Sequence, residues 1–233
     1  MRAAIPFAAA CLLPFAALTG RPLTTEDAST LDDRACQLEA WLDRTRGNAS
    51  DASFVPACAW LGVEWQAGAT RTHIDGRGAT TATFVQGKHA FVRVDEGAWG
   101  IGVVAGIARA PQREEKRGWG DPYLIVPLSL GIGDDKDTRA LLHLNVGAAR
   151  ERDARRNVTL WGVAIEKPVT ARLTLVAEAY GENAAKPFVR GGFRYALFEG
   201  FDVDLTWVAR PAGFREEHYG SLGFHWELGR LAP

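Results

Sequence analysis

The sequence predicts an all-β protein, an antiparallel transmembrane β-barrel of about 12 strands behind a cleaved signal peptide. Three observations carry this prediction. Most of the chain after Cys36 alternates apolar and polar residues with period two. Its aromatic residues gather where the alternating segments end. Its first residues form an uncharged apolar stretch behind a single positive charge, Arg2.

The leader comes first. Residues Ala3 to Leu18 carry no charge, and Thr19 and Gly20 supply small residues after them. The run is short for a bilayer-spanning helix, and Pro6 and Pro14 interrupt it. Residues 1–20 are therefore expected to be a signal peptide cleaved near Gly20. Cys11 does not read as a lipidation site, because the apolar segment continues past it. No later apolar run is long enough for a transmembrane helix. The expected organisation is a short periplasmic segment over 21–35, a barrel over 36–228 and a tail over 229–233. Export implies a bacterial outer-membrane location, with membrane lipids and the barrel-assembly machinery as partners. Composition agrees: 25 Gly and 8 Trp suit tight turns and interfacial belts. A net charge of -1 gives no basic field for nucleic acid.

The segments are 36–45, 53–59, 63–72, 79–94, 99–109, 121–130, 139–149, 157–167, 172–182, 187–197, 201–210 and 217–228. In 201–210, Phe201, Val203, Leu205, Trp207 and Ala209 share one face, and Asp202, Asp204 and Thr206 share the other. In 99–109, Trp99, Ile101, Val103, Ala105 and Ile107 oppose a row of small residues. The parity of 79–94 breaks near Gly87, which predicts a bulge there. A soluble sandwich would alternate in the same way. The barrel is favoured because Trp60, Trp65, Trp99, Trp119, Tyr123, Phe198, Phe201, Trp207, Tyr219 and Trp226 lie at segment ends and turns. Short and longer connectors also tend to alternate.

In such a barrel the polar face lines the lumen. The lumen-facing, solute-facing candidates are Glu39, Glu64, His143, Asn145, Glu166, Glu178, Arg190, Arg194, Asp202, Asp204 and His225. Their mixed signs suit internal pairing better than a one-sign ion filter. The leading expectation is a passive channel or binding barrel for small solutes. A structural or interaction barrel with a packed lumen is the first alternative. A lipid-acting hydrolase is the second, resting on Ser129, His143 and Asn145; no G-x-S-x-G accompanies them. No catalytic residue is assigned. No metal or cofactor is expected: the five His are scattered, and Asp134, Asp135 and Asp137 do not meet the calcium-loop pattern.

The C-terminal stretch Ser221-Leu222-Gly223-Phe224-His225-Trp226-Glu227-Leu228 resembles the β-signal that assembly machinery reads on the last strand of outer-membrane proteins. Ser221, Gly223, Trp226 and Leu228 are its matching positions, and Gly229 to Pro233 follow where such a signal usually ends the chain. Other stretches also carry a resemblance. Arg21-Pro22-Leu23-Thr24-Thr25-Glu26-Asp27-Ala28, Cys36-Gln37-Leu38-Glu39-Ala40-Trp41, Pro56-Ala57-Cys58, Gly118-Trp119-Gly120-Asp121-Pro122-Tyr123 and Arg150 to Asn157 resemble proteobacterial outer-membrane barrels of the MetA-pathway of phenol degradation transporter type. That resemblance implies small hydrophobic or aromatic solutes.

Two pairings follow from hairpin register. A turn near Gly47 and Asn48 sets Cys36 opposite Cys58, and an oxidising compartment favours a disulfide there. A turn near Glu199 sets Arg194 opposite Asp204, which predicts an inward ion pair.

Overall fold

Twelve strands build the computed structural model, which describes residues 21–230 apart from 47–48, 77, 110–119, 136–137, 153, 184, 212 and 214. They are β1 (Ala35–Thr45), β2 (Ala49–Trp60), β3 (Val63–Ile74), β4 (Gly78–Val92), β5 (Trp99–Arg109), β6 (Asp121–Ile132), β7 (Ala140–Glu151), β8 (Arg156–Pro168), β9 (Leu173–Glu182), β10 (Phe188–Phe198), β11 (Phe201–Ala209) and β12 (Tyr219–Arg230). Each strand pairs antiparallel with its chain neighbours, and β1 closes on β12. Closure leaves no unpaired sheet edge, the condition for crossing a hydrocarbon layer with strands. The leader, the Gly47–Asn48 turn, Trp119 and Asp137 lie outside the described residues.

Period-two alternation sorts the side chains as in a lipid-facing barrel. Leu42, Val85, Leu124, Val146, Val163, Leu175, Leu205 and Leu222 all point outward and are exposed. Trp60, Trp65, Trp99, Phe198 and Trp226 ring the end that holds β1's start and β12's finish, here the terminal end. Trp161 and Trp207 lie toward the opposite, distal end. Amphipathic rings favour such levels. Tyr123 and Tyr219 do not join the belt. Both are buried in the lumen, where the Tyr123 hydroxyl donates to Gln86 at 2.7 Å and the Tyr219 hydroxyl lies 3.2 Å from that of Tyr180. Their polar tips find partners inside that lipid could not supply.

The predicted bulge at Gly87 is absent. Gly87 pairs in register with Trp65 and Ala105, and the register shift falls between Ala90 and Val92. A Cβ at Gly87 would lie 3.2 Å from the Trp65 ring. The tryptophan covers that stretch of wall, so the missing apolar side chain marks a covered site rather than a slip in pairing. Strand β12 runs two residues into the predicted tail, to Arg230.

Cys36 and Cys58 are directly paired on β1 and β2 and joined by a disulfide, with Cα atoms 4.1 Å apart. The bond fixes the first hairpin beside the β1–β12 seam.

Candidate functional site in the barrel lumen

The lumen is occupied, and differently in its two halves. Toward the distal end, an apolar core of Trp41, Val55, Phe84, Val104, Ala108, Tyr123, Ile125, Ala149 and Val158, with Leu160 against it, packs beside buried polar groups that include Asp51, Thr72, Glu151 and Glu182. Toward the terminal end, the strands carry polar and charged groups, and the chain's own segment 21–34 lies among them. The sequence reading placed 21–35 in the periplasm outside the barrel. The structure instead threads residues 21–31 into the ring, with Asp32 to Arg34 exposed at its rim, because the threaded residues supply counter-charges and main-chain donors to the inward side chains.

The grip can be followed residue by residue. Arg21 is 6% exposed. Its guanidinium binds the Asp204 carboxylate through two nitrogens, donates to Ser221 Oγ at 3.0 Å and sits 4.9 Å over the Trp41 ring. Its main-chain N–H donates to Glu39 Oε1 at 3.0 Å. Arg190 donates to the Pro22 carbonyl. Leu23 packs on Ala164 and Val176. The N–H groups of Thr24 and Thr25 donate to Glu178 at 2.8 and 2.9 Å, and the Thr25 hydroxyl does so at 2.9 Å. With its amide nitrogen turned toward the Glu26 carbonyl, Asn145 brackets the Glu26 main chain at 2.9 and 2.6 Å. The Glu26 carboxylate takes Gln86 at 3.2 Å and Lys88 at 3.1 Å, and Lys88 also holds Asp27. The Ala28 N–H donates to Ser129 Oγ at 2.8 Å, and its carbonyl accepts from Val94 at 3.1 Å. The Leu31 N–H donates to Glu64 at 2.9 Å. At the rim, Arg93 and Arg230 reach Asp32 at 3.2 and 3.1 Å, and these hydrogen bonds hold its carboxyl below the usual carboxylate range.

Two glycines make room for this segment. A Cβ at Gly223 would overlap the Arg21 guanidinium, and one at Gly162 would stand 2.6 Å from Thr25 Oγ1 and 3.3 Å from its Cβ. The terminal-half wall is thus cut to the shape of its occupant. In the proposed assembly stretch, Ser221 and Gly223 face inward onto Arg21, and Leu222 and Leu228 face out.

All the lumen candidates named from sequence sit on this inner wall. Glu39, Glu64, Asn145, Glu178, Arg190 and Asp204 contact the segment directly, as described. Arg194 donates to the Arg21 carbonyl at 3.2 Å and pairs with Glu166. Asp202 lies 3.7 Å from His225, whose other ring nitrogen meets Gln37 at 2.9 Å. Arg194 and Asp204 are register partners, as predicted, but they do not form the ion pair. Arg21 reaches Asp204 from the barrel axis, and Arg194 turns to Glu166. Strand register alone could not reveal a third partner arriving from inside.

Ser129 and His143 face each other across β6 and β7, with Ser129 Oγ 2.8 Å from His143 Nδ1. His143 Nε2 lies 3.8 Å from Glu166. A serine, imidazole and carboxylate in line are the parts of a nucleophile relay. Here both Ser129 and His143 are almost fully buried, and the serine oxygen accepts the Ala28 N–H. The set holds the segment.

Between the segment and the wall lies a cavity of about 700 Å³. Glu39, Glu64, Gln66, Lys88, Arg93, Glu166, Arg194, Asp202, His225, Glu227 and Arg230 line it, with Asp27, Ser29 and Asp32 of the segment. Its wall carries many charged groups, with apolar surface from Leu23, Leu31, Ala35 and Cys36 among them. Sequence reasoning missed Gln66, Gln86, Lys88, Arg93 and the whole segment. The available signal was the charge-bearing stretch Arg21 to Asp33 directly after the leader.

These features define a closed twelve-strand barrel of the porin architecture, filled from within by its N-terminal segment. The chain belongs to the family described as uncharacterised conserved protein UCP029691, whose model matches residues 9–219. No curated protein matches it in sequence. Among solved structures it is similar to the KdgM porin, with a TM-score of 0.61 at 7% identity over 82% of this chain and 98% of that one. It is also similar to the NanC porin, with a TM-score of 0.53 at 12% identity over 84% and 100%. The outer membrane protein Omp33 of Acinetobacter baumannii gives 0.51 at 11% identity over 84% and 99%. At these identities the likeness is one of fold.

Proposed function

We propose that the chain is an outer-membrane barrel that admits small polar solutes into its terminal-half cavity, and that passage across the membrane requires segment 21–34 to move. The observation that carries this reading is the charged cavity of about 700 Å³, bounded on one side by a segment of the chain itself. Its size falls within the range of small-molecule sites. The outward apolar faces and aromatic rings support the location. A related barrel was solved as "KdgM porin in complex with disordered oligogalacturonate", a polar ligand. The MetA-type resemblance points to aromatic solutes, whereas the charged wall favours solutes that form hydrogen bonds. The packed distal core favours a second reading, a barrel without permeation.

A lockable segment separates the two. Thr25→Cys with Gly162→Cys places two Cβ atoms close to the usual disulfide separation of about 3.5–4.5 Å. Planar-bilayer conductance and liposome flux are measured with this variant oxidised and reduced, and with wild type treated alike. The proposal expects intermittent conductance that oxidation abolishes only in the variant. No conductance from wild type or the reduced variant would leave the packed barrel standing. Conductance untouched by the lock would mean a path around the segment.

A further inference from the structure

We propose that export processing cuts the Gly20–Arg21 bond, and that the α-ammonium group it creates on Arg21 is a structural ion that pairs with Glu39 inside the barrel. The inference does not depend on whether the barrel admits a solute.

Glu39 lies on the inner wall of β1. It is 3% exposed. Among the described residues no Lys, Arg or His side chain comes within ion-pair distance of it, although His225 stands opposite on β12 and the Arg21 guanidinium acts at longer range, and its one hydrogen-bond donor is the main-chain nitrogen of Arg21, at 3.0 Å. Of the other deeply buried carboxylates against the segment, Asp204 has Arg21, Glu178 has Arg190 and Glu26 has Lys88, while Glu64 is met by the Leu31 N–H and the Gln66 amide. A buried carboxylate met by one neutral N–H is poorly compensated. An ammonium at the same atom brings a full positive charge and three donors.

The second observation is how firmly that nitrogen is placed. The Arg21 side chain is held by Asp204, Ser221 and Trp41, and the Pro22 carbonyl by Arg190. While the segment is seated, these contacts hold the nitrogen at Glu39. The third lies in the sequence. An uncharged run ends at Leu18, Gly20 is small at the position before the cut, Leu18 departs from the small residue usual two positions earlier, and charged residues begin at Arg21.

The step balances. A signal peptidase catalyses addition of water to the Gly20 carbonyl, the C–N bond breaks, and the products are a Gly20 carboxylate and an Arg21 amine. An α-amino group has an ordinary pKa of about 7.7–8.0, so it takes a proton at neutral pH. Processing thereby replaces a tethered main-chain N–H in the lumen with a free, charged end.

Two measurements test this on full-length protein expressed with its own leader and extracted from membranes. Mass spectrometry of the N-terminal peptide is expected to find a chain that starts at Arg21 with an unblocked amine. A start at any other residue overturns the proposal. Next, the rate at which an amine-acylating reagent labels that terminus is compared for folded wild type, folded Glu39→Gln and urea-unfolded wild type. A hydrogen-bonded charge pair predicts about tenfold or greater protection in folded wild type, largely lost in Glu39→Gln. Should Glu39→Gln fail to fold, the folded-to-unfolded ratio of wild type still decides. A terminus labelled equally fast in folded and unfolded protein, or in folded wild type and folded Glu39→Gln, overturns the pairing.

Discussion

The distal and terminal halves of the lumen solve the same problem by different means. A small barrel must fill its interior or hold water there. The distal half fills itself with side chains of its own strands, around Trp41, Phe84, Val104 and Tyr123. The terminal half borrows a separate piece of chain and binds it with Asp204, Glu178, Lys88 and Glu64. An apolar core cannot leave without unfolding the barrel. A polar segment can, because water can replace each of its hydrogen bonds. On the proposed function, the difference assigns the roles: the distal half supplies stability, and the terminal half supplies a removable part beside a cavity.

Single truncations should break the two halves in different ways, and these are the largest effects expected. Phe84→Ala removes a buried ring from the distal core and should cost about 3–5 kcal/mol of barrel stability. Asp204→Ala strands a buried guanidinium, a loss of about 3–5 kcal/mol if nothing relaxes. Here the segment can relax by leaving. Urea unfolding in vesicles should therefore register Phe84→Ala strongly and Asp204→Ala weakly. Limited proteolysis should cut residues 21–34 rapidly only in Asp204→Ala. Equal unfolding midpoints with equal proteolysis would erase the distinction between the halves.

The disulfide should rank next. Replacing Cys36 and Cys58 with Ser releases a cross-link spanning a sequence separation of 22, worth on the order of 3 kcal/mol in the unfolded chain. That loss should appear in the unfolding free energy and leave segment proteolysis unchanged. Two alkylatable thiols in the unreduced wild-type protein would refute the bond.

Double-mutant cycles sharpen the comparison within the terminal half. Arg21 with Asp204 should couple by about 1–3 kcal/mol, and Arg194 with Glu166 should couple too. Arg194 with Asp204, register partners without a direct ion pair, should couple less than either. A larger coupling for that last pair would restore the simple ladder and displace Arg21.

The fold was legible in the sequence because period-two alternation is imposed by the solvent on each face. Lipid outside and polar groups inside left all twelve strands readable, down to the Cys36–Cys58 register. The wall of the candidate site was legible for the same reason, since Glu39, Glu178 and Asp204 break the apolar pattern at inward positions. Its occupant was not. Residues 21–34 form no strand, so no periodicity marks them. Lys88 and Gln86 lay in the segment whose parity Gly87 obscured. The Arg194–Asp204 expectation failed because cross-strand register reports neighbours within the wall and nothing that approaches from the axis.

The smallest effect concerns the rim. Arg230 and Arg93 lower the Asp32 carboxyl pKa by hydrogen bonding. A depressed carboxyl contributes stability above its unfolded value, near 3.9, and loses it as pH falls through the lower folded value. Carbon-13 NMR titration of Asp32 should give a midpoint below the ordinary value, and Arg230→Ala should raise it. An unshifted midpoint in wild type would remove this anchor from the account.

The central claim is that segment 21–34 lies in the lumen against β8, β9 and β11. It is tested most directly by purifying the Thr25→Cys, Gly162→Cys variant without reductant and mapping its disulfides by peptide mass spectrometry. The account predicts near-complete cross-linking of positions 25 and 162 alongside Cys36–Cys58, because the two Cβ positions stand 3.3 Å apart. Two free, alkylatable thiols at 25 and 162 in a heat-stable, correctly inserted barrel would contradict it.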